Sequence, residues 1–184
     1  WSPLCPKIII WNTITQELVP WKIQNVGTEK VTALCGARYS TRILLAVDYC
    51  GALVLADIEN NTLLTFVNHA HAANVTAVSL TDDGVYAVSS SLDRHLKVWN
   101  IETGKLLAEF VSTTVCYQNR IIKTSDGIVV TTVDANNFVW VFKLIDPDNT
   151  TGNSLVSYNA LQEQWATLDE SWRQHVLNQP RNLS

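Results

Sequence analysis

Short apolar runs rich in β-branched and aromatic residues, each closed by a polar turn, fill the first 144 residues of this chain. That pattern reads as strands. Four runs share one local form: Ile8-Ile9-Ile10-Trp11-Asn12, Leu53-Val54-Leu55-Ala56-Asp57, Leu96-Lys97-Val98-Trp99-Asn100 and Val139-Trp140-Val141-Phe142-Lys143. The position of Trp11 recurs as Ala56, Trp99 and Phe142, at spacings of 45, 43 and 43 residues. Val31-Thr32-Ala33-Leu34 returns as Val75-Thr76-Ala77-Val78, 44 residues on. After each Trp-equivalent a polar turn leads into another apolar strand, at Gln16 to Val19, Thr62 to Phe66 and Lys105 to Phe110. Gly104 suits a tight hairpin, and Asn61 holds the matching place as the residue next best able to enter left-handed backbone. Asp83-Gly84 and Asp126-Gly127, 43 residues apart, read as two further hairpins.

A strand-type repeat of about 40–45 residues is the period of a β-propeller blade. The segment Ser89-Ser90-Ser91-Leu92-Asp93-Arg94-His95-Leu96-Lys97-Val98-Trp99-Asn100 resembles the core of a WD40 repeat, and the resemblance covers about Lys7 to Leu144. The resemblance implies a buried chain in which Asp93, in a tight turn, holds His71, while Ser89 or Ser91 links His71 to the Trp99 indole. Such a network satisfies polar groups within a small sheet and locks one strand pairing. The other repeats depart from it: Cys50 and Asn136 stand where the turn Asp is expected, and Ala56 and Phe142 stand for Trp. Those two blades are expected to rely on packing alone.

The predicted fold is all-β, with about three to four WD40-like blades forming a partial ring over residues 1–144. Closed propellers usually need about four to eight blades, so the chain is expected to be a piece of a longer polypeptide, or a half-ring completed by another chain. Residues 145–157, with Asp146-Pro147-Asp148-Asn149 and Gly152-Asn153-Ser154, read as a linker. In residues 158–184, Tyr158, Leu161, Trp165, Leu168, Trp172 and Val176 recur at spacings of 3, 4, 3, 4 and 4. This is one face of an amphipathic helix, ended by Pro180.

The chain is 47% apolar and 16% charged, with a net charge of −4. No global pull toward nucleic acid or an acidic membrane is expected, and no apolar run of about 18 residues is present to span a membrane. Cys5, Cys35, Cys50 and Cys116 are scattered and read as free thiols of a reducing compartment, cytoplasm or nucleus. Glycosylation-type triplets at Asn60, Asn74, Asn149 and Asn182 read as accidents of an Asn- and Thr-rich sequence. His69 and His71 lack the third ligand that a zinc site needs, and seven glycines form no phosphate loop. Ser89, His71 and Asp93 superficially make a hydrolytic set, yet the structural network uses the same atoms. No catalysis, metal, cofactor or small-molecule substrate is expected.

The functional expectation is a non-catalytic scaffold, a subunit of a multiprotein or ribonucleoprotein assembly whose partners are other proteins, with RNA reached indirectly. Contact candidates are Leu92, Arg94 and His95 on a rim turn, and Leu161, Trp165, Leu168 and Trp172 on the tail helix. The alternative is a regulatory or sensor propeller at the end of a larger NTPase or enzyme polypeptide.

Overall fold

The computed structural model describes residues 8–19, 31–47 and 51–144. The described strands, every pair antiparallel, are β1 (Ile10–Asn12), β2 (Glu17–Val19), β3 (Val31–Gly36), β4 (Arg42–Val47), β5 (Ala52–Asp57), β6 (Thr62–Val67), β7 (Val75–Leu80), β8 (Tyr86–Ser91), β9 (His95–Asn100), β10 (Lys105–Val111), β11 (Cys116–Thr124), β12 (Gly127–Asp134) and β13 (Val139–Leu144). They form four meandering sheets in chain order: β1-β2, β3-β4-β5-β6, β7-β8-β9-β10 and β11-β12-β13. Each of the last three is a blade, and their first strands, β3, β7 and β11, lie beside one another. Residues 158–184, and with them the expected tail helix, lie outside the described residues.

Burial on both faces explains why β4 and β5 read as nearly unbroken apolar runs rather than alternating ones. Side chains of a strand point alternately to opposite faces. Ile43, Leu45 and Val47 of β4, with Ala52, Val54 and Ala56 of β5, pack toward Ile8 on one side. Leu44, Ala46, Leu53 and Leu55 pack on the other, against Val75, Val78, Leu80, Ala87 and Trp99 of the next blade. A third cluster joins Tyr86, Val88, Leu96 and Val98 to Ile121, Ile128 and Val130, with Phe110 and Phe142 against it. Each fully buried Leu or Val adds about 1.5–3 kcal/mol over the exposed state, and neighbouring blades supply that burial for one another.

The blade-to-blade contact between β7 and β11 is also polar. The Thr76 hydroxyl donates to the Cys116 carbonyl and lies 3.1 Å from the Ser90 hydroxyl. Asn119 Nδ2 donates to the Ala77 carbonyl and to Ser90 Oγ, at 3.0 Å each. Between β3–β6 and β7–β10, Arg42 pairs with Glu102 and also donates to the Gly84 carbonyl at 3.3 Å.

The turns keep the repeat at the level of single dihedrals. Gln16, Asn61 and Gly104, five residues after successive Trp-equivalents, have φ of 57°, 50° and 70°. The residue just after the Trp-equivalent caps each of these turns: Asn12 Oδ1 accepts from Ile14 N at 2.9 Å, Asp57 Oδ1 from Glu59 N at 2.9 Å, and Asn100 Oδ1 from Thr103 N at 3.2 Å. Such side chains mimic a backbone turn. Gly51, Arg94 and Asn137 form a second left-handed series, at 58°, 69° and 64°. A Cβ on Gly51 would stand 2.7 Å from the carbonyls of His71 and Ala73 and 2.8 Å from the His71 Cβ.

Gly51→Ala therefore meets both left-handed backbone and fixed neighbouring backbone. It is expected to cost at least about 1–3 kcal/mol. Gly36→Ala, whose nearest new neighbour is 3.9 Å away, is expected to be near neutral. Chemical denaturation of the two variants beside the parent checks this, and equal midpoints would refute it.

Candidate functional site

The best-formed blade is organised around His71, in the β6–β7 loop, and Asp93, in the β8–β9 turn. His71 Nδ1 lies 3.0 Å from Asp93 Oδ2 and donates to it. On the other edge of the ring, His71 Nε2 is 2.7 Å from the Ser89 hydroxyl, which also accepts the Trp99 indole N–H at 2.9 Å. One arrangement of protons satisfies every bond: Nδ1–H to the carboxylate, the Ser89 hydroxyl to Nε2, and the indole to the Ser89 oxygen. The imidazole in it is neutral. Burial lowers the His71 pKa below its ordinary value, and the neighbouring Asp93 only partly counters it.

Asp93 does more than hold a ring. Its carboxylate also accepts the backbone N–H of Ala72 at 2.9 Å and of His95 at 2.9 Å. Burial pushes its pKa up, but these two donors and His71 outweigh that, so it sits below the usual carboxylate value. Ser91 Oγ accepts the Asp93 N–H at 3.1 Å and donates to the Ala73 carbonyl at 3.0 Å. Both hydroxyls expected from the sequence thus have roles, with Ser89 the one that links His71 to Trp99. Ser89 is fully buried, and its hydroxyl is committed to His71 and Trp99. Among the described residues no group of three or more His, Cys, Asp or Glu is placed to hold a metal ion. Cys35 and Cys116 are free thiols.

The rim residues separate into two kinds. Leu92 is 49% exposed, and Arg94, at φ 69°, is exposed beside it. His95 instead turns toward Glu109, with Nδ1 2.6 Å from Oε1, and Lys97 stands 3.3 Å from the same oxygen. Lys97 also donates to the Ala70 carbonyl at 2.9 Å. Leu161, Trp165, Leu168 and Trp172 lie outside the described residues.

Sequence reasoning missed a second network. The β11–β13 blade was expected to rely on packing alone, because Asn136 stands at the position of Asp93. A buried carboxylate two residues earlier takes over: Asp134 Oδ1 accepts the N–H of Asn136 at 2.9 Å and of Phe138 at 3.0 Å, and Oδ2 accepts the Trp140 indole N–H at 3.0 Å. Asp134 stands 43 residues after Ser91, so one side chain performs the turn-bracing tasks that Ser91 and Asp93 share in the preceding blade. The Trp140 hydrogen bond leads in lowering its pKa. Trp140 stacks on Phe142 with centroids 6.5 Å apart, and Phe110 lies 4.6 Å from Phe142.

Residues 60–100, which contain the whole His71 network, match the family model described as WD domain, G-beta repeat. The chain is 33% identical over 115 residues to Autophagy-related protein 16 of Arabidopsis thaliana, covering 56% of this chain and 21% of that protein. It is 43% identical over 47 residues to Small ribosomal subunit protein RACK1 of Candida albicans, covering 26% of this chain and 14% of that protein. The chain therefore spans about a fifth or less of the length of these two relatives. The solved WD40 repeats of RRP9 superpose with a TM-score of 0.56 at 16% identity, over 63% of this chain and 36% of that one; at that identity the likeness is one of fold.

Residues of one hydrogen-bonded unit are expected to be non-additive on substitution. A double-mutant cycle of His71→Ala and Asp93→Ala should give a coupling energy of about 0.5–3 kcal/mol. Asp93→Ala and Asp134→Ala, which share no partner, should add. Denaturation midpoints measure both cycles, and full additivity in the first would show that the pair does not act together.

Proposed function

We propose that this chain, a carrier of WD40-repeat blades, is a non-catalytic protein-interaction scaffold and a subunit of a multiprotein or ribonucleoprotein assembly. The carrying observation is the contrast at the β8–β9 turn. Asp93 and Ser91 immobilise its backbone from within, while the side chains of Leu92 and Arg94 are exposed and enter none of the described hydrogen bonds and ion pairs. A turn held rigid in advance loses little freedom on binding, which favours affinity. RACK1 of Candida albicans is a small ribosomal subunit protein, which supports a place in a large assembly with RNA met indirectly. The comparisons indicate no enzymatic family. Cytoplasm or nucleus is the proposed location.

Residues 1–144 are proposed as the blade domain, 145–157 as a linker and 158–184 as a helical extension that docks a neighbour through Leu161, Trp165, Leu168 and Trp172. A second reading rests on the length of the relatives, most of which lies outside the aligned part. In it these blades are a regulatory or sensor propeller in a larger NTPase or enzyme polypeptide.

Two double variants test the scaffold reading. Leu92→Ala with Arg94→Glu, and Trp165→Ala with Trp172→Ala, are each expected to weaken capture of native companions by about 30-fold or more, the effect of losing a binding hot spot. The circular dichroism and the denaturation midpoint should stay at the parent values. Companions retained in full by both variants would overturn the assignment, and a single long polypeptide bearing a catalytic domain would favour the second reading.

A further inference from the structure

The loop between β6 and β7, residues 68–74, is held by hydrogen bonds to Gly51, to Asp93, which also holds the His71 ring, and to the neighbouring residues Ser91, Leu92 and Lys97. The His71 N–H donates to the Gly51 carbonyl at 3.1 Å, the Ala72 N–H to Asp93, and Ser91 Oγ and Lys97 Nζ to the carbonyls of Ala73 and Ala70. The Leu92 N–H donates to the Asn74 carbonyl at 3.0 Å, so loop and β8–β9 turn are one bonded unit. His69 within the loop is in left-handed backbone, φ 52°, a conformation that lasts only while its surroundings impose it.

We infer that His71 makes this rim acid-sensitive: a proton on its imidazole reverses the bond to Ser89, strands the Ser89 hydroxyl hydrogen, and so favours release of the loop at residues 68–74 together with the β8–β9 turn. The His71 side chain is wholly buried, and both of its nitrogens are already used. Protonated Nε2 can only donate to Ser89, whose oxygen already accepts the indole. The Ser89 hydroxyl hydrogen then loses its acceptor inside the protein, where an unpaired polar group is costly. The charged groups around the ring come from each element packed on it. Asp93, in the β8–β9 turn, favours the imidazolium. Lys97 and His95 of β9 disfavour it, and Glu109 of β10 is engaged by those two. No charged side chain of β4 or β5 bonds to the ring among the described residues.

The direction follows from linkage. The buried ring holds a proton less readily than the released one, so the open state gains population as pH falls through the ordinary histidine value of about 6.5. A single such site gives at most about a tenfold rise in opening between pH 7.5 and 5.5, the limit reached when the closed state takes up no proton there. Loss of Asp93's contribution belongs to a separate window, as pH falls through the carboxylate range near 4. The inference goes beyond the scaffold reading and does not depend on it.

Hydrogen exchange of the full chain, corrected for the intrinsic pH dependence of amide exchange, tests it. The amides of residues 68–74 and 91–95 should lose protection, by up to about tenfold, between pH 7.5 and 5.5, while β4 and β5 keep theirs. His71→Gln should abolish this step, and His69→Gln and His95→Gln should retain it. Imidazole NMR shifts of the parent decide the matter if His71→Gln does not fold: protonation of His71 and loss of loop protection should share one midpoint. Protection that is flat over this range, an acid step that survives His71→Gln, or a protonated His71 beneath a still-protected loop would each overturn the inference.

Discussion

A sheet of four short strands is stable here only where both of its faces are covered, and it has no helix to cover them among the described residues. The interior strands β4 and β5 answer this by being apolar at nearly every position, so that this blade shares a core with its neighbour. Ile43 to Val47 and Ala52 to Ala56 are the clearest case, with odd and even positions packing into different clusters. Everything polar in the blades must then be confined to turns or to networks that satisfy themselves, because an unpaired donor between two apolar faces has no water to turn to.

Asp93 and Asp134 show two ways of meeting that demand. In one blade the work is distributed over a turn carboxylate, two serines, an imidazole and an indole, and the network reaches from the β8–β9 turn to the preceding loop. In the next blade one carboxylate braces its own turn and takes an indole directly. The second solution uses fewer side chains, with Thr114 and Val115 of the preceding loop beside it.

Much of the fold was legible because a repeat shows itself many times over. The 43-residue step located the hairpins, and Asn61 and Gly104 do adopt the left-handed backbone their matched positions implied. The network of His71, Ser89, Asp93 and Trp99 was legible from a resemblance and stands in the geometry bond by bond. Asp134 was missed for a physical reason. The pattern places a carboxylate at the position of Asp93, whereas an Asp at the position of Ser91, longer than the serine, reaches the N–H groups that Ser91 and Asp93 serve between them. Its partner Trp140 likewise aligns with Lys97 rather than with Trp99. Sequence pattern alone also could not tell that His95 faces Glu109 while Arg94 faces outward.

The hydrogen bonds among Thr76, Ser90, Asn119, Cys116 and Ala77 bear on how adjacent blades find their alignment. Apolar faces of similar size tolerate sliding, since a methyl group gains nearly as much against one neighbour as against the next. Donors and acceptors on β7, β8 and β11 meet at the observed axial offset, and sliding one sheet past the other by one residue, about 3.3 Å, would part them. The seam thus serves as a locating pin between the two sheets: the hydrophobic clusters hold the blades together, and the seam fixes where along their length they stop.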